Sequence, residues 1–112
     1  MKRKKLGKMI ICGVPYQVTL GNADNFLHDI ANRWGETDHV EMQININSKP
    51  SLEMKEDTLL HECLHAILQQ SGAKDMMLRA GINDINSFEE TLIRIITPHL
   101  LNVIKQLPKI KF

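Results

Sequence analysis

The stretch TLLHECLHAILQQSG, residues 58–72, decides how this chain is read. It places two of the five histidines four residues apart, with a glutamate directly after the first. On an α-helix, positions i and i+4 share a face, so His61 and His65 stand one turn apart with Glu62 beside them. The helix is predicted to start from a cap at Ser48 or Ser51, with Pro50 tolerated in a first turn, and to run to about Gln70. Gly72 supplies its carboxy-terminal cap. Leu60, Leu64, Ile67 and Leu68 lie on one side and Leu59, Cys63 and Ala66 on another, so the helix is expected to be buried on most faces. Cys63 points roughly away from the histidines and is assigned to core packing.

Upstream, VEMQININ (residues 40–47) alternates strictly. Val40, Met42, Ile44 and Ile46 point one way; Glu41, Gln43, Asn45 and Asn47 point the other, as in a half-buried strand with a polar outer face. KMIICGVPYQVTL is rich in β-branched residues and broken by Gly13 and Pro15, which predicts a hairpin with strands near residues 8–12 and 16–20. Those strands are the expected partners of 40–47. A short helix capped by Asp24 or Asn25 through Ala31 follows the hairpin, with Gly35 ending the irregular stretch after it. Downstream, residues 73–86 read as a polar connection with a turn of helix. A last helix opens at Ser87, where S-F-E-E fits a capping box. Leu92, Ile93, Ile96, Leu100, Val103, Ile104 and Leu107 form its apolar stripe, and Pro98 is expected to kink or divide it.

A chain of 112 residues has room for one core, so residues 1–112 are read as a single domain. A net charge of +1 argues against a dedicated nucleic-acid or membrane binder. The one basic run, KRKK at residues 2–5, is read as a solvated, mobile end. No secretory signal or bilayer-spanning stretch is evident, and two cysteines without a framework fit reduced thiols in the cytoplasm.

H-E-x-x-H has a chemical reading. Zinc takes nitrogen, sulfur and oxygen ligands in tetrahedral sets, and catalytic sites keep one position for water. Two histidines one turn apart supply two ligands without backbone strain, and the adjacent glutamate can accept a proton from the activated water. The pattern is that of zinc peptidases, so the cofactor expected is Zn2+, with His61 and His65 as ligands and Glu62 as general base. No further histidine follows His65 at metzincin spacing. The candidates for a third ligand are Glu89 and Glu90, on the last helix. Glu89 falls in the centre of the apolar stripe, whereas Glu90 lies at its edge and has a capping job with Ser87 as an alternative. Periodicity favours Glu89.

The chain resembles the small phage- and prophage-encoded metallopeptidases of minimal gluzincin type. IICGVPYQVTL resembles their opening hairpin, WGETDHVEMQININ their G-E-x-D segment and edge strand, TLLHECLHAIL their active-site helix, and EETLIRIITPHLL their glutamate helix. The resemblance implies a zincin-like α+β fold: a short, twisted antiparallel sheet packed on the H-E-x-x-H helix and on a carboxy-terminal glutamate helix. It implies a zinc metalloendopeptidase of the bacterial host's cytoplasm, with a peptide or protein as partner, received by strand addition along VEMQININ. The competing reading of that segment is an inner strand that binds nothing. Matched to the family, the third ligand falls at Glu90, one residue from the choice of periodicity. The larger thermolysin-like enzymes also carry a tyrosine or histidine that stabilises the oxyanion. No such motif is evident here, and His39 and His99, the two candidates for that role, are read more readily as structural or surface histidines. Two other function classes stay open: a catalytically silent zinc-containing binding module, and a metal-free helical adaptor with packed histidines.

Overall fold

The computed structural model describes residues 3–22 and 34–112. The helix expected between Asp24 or Asn25 and Ala31 lies outside them.

The hairpin forms as predicted, with longer arms: β1 (Lys4–Ile11) pairs antiparallel with β2 (Val14–Gly21). Its two-residue turn is Cys12-Gly13, both at positive φ (50° and 80°), the arrangement whose twist matches that of paired strands. β3 (Gly35–Asp38) and β4 (Gln43–Asn47) make a second antiparallel pair. The sheet order among the described residues is β1-β2-β4-β3, and β2 runs parallel to β4. The sheet is therefore mixed, a correction to the antiparallel sheet expected.

Two features of VEMQININ also change. Its strand begins at Gln43 because the Asp38 carboxylate accepts hydrogen bonds from the backbone N–H groups of Val40 (2.8 Å) and Glu41 (2.9 Å), which turns the chain. Met42 follows with φ 55°, and Val40 is exposed. β4 also lies between β2 and β3, so it is an inner strand, and among the described residues the sheet ends at β3, beside α1.

Ile44 and Ile46 join Ile11, Tyr16, Val18, Cys63 and Ala66 in the core. The other face of β4 is not the polar outer face expected, since Asn45 and Asn47 are buried too. Asn45 is held in a chain of bonds crossing three strands. Arg3 Nε donates to Thr19 Oγ1 (2.6 Å), the Thr19 hydroxyl to Asn45 Oδ1 (2.6 Å), and Asn45 Nδ2 to Glu36 Oε2 (2.6 Å). Arg3 also donates to the carbonyls of Asn22 and Ile46. Burial lowers the pKa of its guanidinium, with Glu36 opposing. Residues 3–5 of the basic run are thus built into the sheet: Arg3 is pinned, and Lys4 and Lys5 belong to β1.

α1 (Leu52–Gln70) starts at Ser51, whose Oγ accepts from Met54 N (3.3 Å), and ends where Gly72 turns left-handed at φ 82°. It buries a single face, Thr58, Glu62, Cys63 and Ala66, on the sheet. Leu52, Met54 and Ile67 are exposed, so burial on most faces is not realised. Cys63 packs in the core, where burial and then Glu62 push its thiol up to about 11. A short α2 (Ala73–Arg79) provides the turn of helix expected.

α3 (Ile85–Gln106) begins before Ser87. Asp84 is its cap and accepts from Ser87 N (3.4 Å), so the S-F-E-E capping box does not form and Glu90 is released from that job. Pro98 lies within one continuous helix and does not divide it. The apolar stripe is buried only in its first half, at Ile93; Val103, Ile104 and Leu107 are exposed. No helix among the described residues is long and apolar enough to cross a membrane.

Candidate metal centre

α1 packs on the sheet and α3 packs against α1, and the facing side chains of the two helices build the site. His61 and His65 project from adjacent turns of α1, with ring centroids 5.0 Å apart. Glu90, on α3, lies between their distal nitrogens. His61 Nε2 is 3.1 Å from Glu90 Oε1, and His65 Nε2 is 2.9 Å from Glu90 Oε2. One ligand atom from each of the three residues falls within 4.8 Å of the others. Zinc bonds of 2.0–2.1 Å in a tetrahedron separate neighbouring ligand atoms by about 3.4 Å. The N, N, O set and its spacing therefore suit zinc.

Glu89 is placed differently. It is buried, as periodicity predicts, and its Oε2 lies 2.7 Å from His65 Nδ1, the nitrogen turned away from Glu90. A carboxylate on the far nitrogen of a metal-binding histidine fixes the ring's orientation and tautomer. Lys74 of α2 stands 3.9 Å from the other Glu89 oxygen. The two adjacent glutamates thus grip the same imidazole from its two sides, and only Glu90 also reaches His61.

The electrostatics of Glu90 follow from this placement. Partial burial pushes its carboxyl up, but His61, His65 and Arg94 together outweigh burial and hold it below the usual glutamate value. Arg94, one turn further along α3, lies 3.1 Å from Glu90 Oε1.

Glu62 sits on the sheet-facing side of α1. The Thr37 hydroxyl of β3 reaches both its Oε1 (2.7 Å) and its backbone carbonyl (3.0 Å). Oε2 accepts no hydrogen bond among the described residues. This approach of strand to helix depends on Gly35. A Cβ there would lie 2.6 Å from Thr58 Cγ2 and 3.2 Å from Glu62 Cγ, so any side chain would push β3 off α1.

The assembled residues open onto a cleft of about 790 Å³, lined by Thr37, His39, His61, Glu62, His65 and Glu90 among others. His39 is therefore part of the cleft wall, not a remote surface histidine, whereas His99 is exposed and outside it. Three contributors were not singled out from the sequence. Arg94 had a signal, its i+4 spacing from Glu90. Thr37 and Lys74 had none, because their roles arise from packing between elements.

Comparison with family models, curated proteins and solved structures gives no match to this chain. What the site does must be argued from its own geometry.

Proposed function

We propose that this chain is a zinc-dependent metallopeptidase of the minimal gluzincin type, akin to the small phage- and prophage-encoded enzymes its sequence resembles. One observation carries the reading: His61 Nε2, His65 Nε2 and the Glu90 carboxylate converge beside Glu62 on the wall of an open cleft. His61, His65 and Glu90 are the zinc ligands, and Glu89 orients His65. Zinc bound there supplies Lewis-acid polarisation of the scissile carbonyl and activation of water.

Glu62 is the general base. Thr37 occupies Oε1, which leaves Oε2 to accept the proton of the attacking water and pass it to the leaving amine. The substrate is a peptide or a protein segment lying along β3. Asn47 N donates to Trp34 O (2.8 Å), and antiparallel alternation then turns Glu36 toward β4 and the main chains of Gly35 and Thr37 outward. Both outward residues line the cleft, so a peptide added to this edge passes in front of Glu62. The strand-addition site expected along residues 40–47 moves in this reading to 35–38. The exposed Cys12 and buried Cys63, both free thiols, are compatible with the cytoplasm of a bacterial host.

The test is metal removal. Zinc-loaded protein is expected to cleave fluorescein-labelled casein, to lose that activity on dialysis against dipicolinate, and to recover it when zinc is restored. Zinc-loaded, folded protein without cleavage would favour the catalytically silent zinc-containing binding module instead.

A further inference from the structure

α3 carries two faces that avoid water, and only one of them is covered. Its buried residues, Glu89, Ile93 and Thr97, lie on successive turns, and Glu89 reaches His65, so this face is the one turned to α1. Phe88, Leu92, Ile95, His99, Val103 and Leu107 follow one another in steps of three or four and share a different face of the same helix. That second face is open: Ile95, Val103 and Leu107 are 61%, 52% and 60% exposed, and Phe88 36%. The stripe runs about 29 Å at 1.5 Å per residue, and none of its residues lines the metal cleft.

The charges of α3 narrow down what covers this face. Four charged residues fall within Ile85–Gln106, and each is engaged away from the stripe. Glu89 and Glu90 hold His65, Arg94 lies 3.1 Å from Glu90, and Lys105 lies 3.4 Å from Glu56 of α1. The stripe itself carries no formal charge apart from what His99 can acquire. A face that packs on its own copy must be so, because each charge on it would be buried without a partner or set against its own kind. The stripe also matches itself when reversed. With His99 on a two-fold axis, Ile95 falls opposite Val103 of the second copy, and Leu92 falls against the turn between its Val103 and Leu107. The exposed side chains leave on the order of 100 Å² each in water, so pairing two stripes removes about 1,000 Å² in all, the size at which specific interfaces begin.

We propose that this chain forms a two-fold dimer by antiparallel packing of the Phe88–Leu107 stripe against the same stripe of a second copy. The inference is independent of the peptidase reading, since the interface leaves the cleft uncovered and takes no residue from it.

Sedimentation velocity on the full chain tests it. Wild type at about 100 μM is expected to sediment as twice the 12.8 kDa chain and to dissociate on dilution, as a small interface implies. Ile95→Lys and Val103→Glu are each expected to weaken the dimer about 10-fold or more, because each buries an unpaired charge. Helix content by circular dichroism should be unchanged, as both side chains are exposed in the single chain. Mixed in equal amounts, the two variants are expected to form a heterodimer tighter than either homodimer, since the two introduced charges then face each other. Wild type that stays monomeric would overturn the proposal, and its capture by phosphatidylglycerol vesicles would assign the face to a lipid surface instead. A dimer that neither substitution weakens would place the interface elsewhere. Weakened variants whose mixture is no tighter would overturn the antiparallel register.

Discussion

Glu62→Gln is expected to leave zinc content unchanged while lowering casein hydrolysis about 10²–10⁴-fold, the span usually supplied by a positioned general base. The substitution is nearly isosteric, and its amide oxygen can still accept from the Thr37 hydroxyl that holds Oε1 at 2.7 Å. The cleft wall and the packing of α1 against β3 should therefore persist, and a matched denaturation midpoint would verify that. What disappears is the carboxylate oxygen that takes the proton. If the variant cleaved casein as fast as wild type, Glu62 would not be the base. The hydrolytic mechanism built on it would then fail, even with zinc bound.

The adjacent glutamates give the second large effect. Both grip His65, but they reach opposite nitrogens, and only Glu90 is also within 3.1 Å of His61. Glu89→Gln is expected to weaken zinc about 10–100-fold, as loss of a carboxylate behind a ligating histidine does, and Glu90→Gln to weaken it further than that. Competition against a chromophoric chelator measures both. The reverse order, with Glu89→Gln the more damaging, would make Glu89 the ligand and reduce Glu90 to a surface partner of Arg94.

That pair also marks what was legible in the sequence. Stripe periodicity placed Glu89 toward the core and resemblance placed the ligand at Glu90. The geometry accommodates both, because a buried carboxylate can serve the ligand instead of the metal. His61, Glu62 and His65 were readable because one helical turn is a local, fixed relation, and the bounds of α1 followed from Gly72 and from a cap at Ser48 or Ser51, of which Ser51 is the one used. The hairpin was readable from its Gly13 turn.

What was not readable depended on contacts distant in sequence. Arg3 looks like part of a solvated basic tail until Thr19 and the Ile46 carbonyl are brought to it. Asn45 looks exposed by alternation, because a period of two separates the faces of a strand but does not say what covers each face. The parallel pairing of β2 with β4, which makes 43–47 an inner strand, has no local signature. That His39 belongs to the cleft wall was not readable because its hydrogen-bond partner Tyr16 lies 23 residues upstream, in a strand.

The central claim is that His61, His65 and Glu90 hold zinc, and elemental analysis tests it most directly. Wild type and His61→Ala would be purified without added metal or chelator, with circular dichroism confirming that both are folded. About one zinc per chain in wild type and little in His61→Ala is the predicted result, since catalytic zinc needs three protein ligands. Folded wild type that carries no zinc and takes up none when zinc is added would contradict it, and would leave the two histidines as packed residues of a metal-free adaptor.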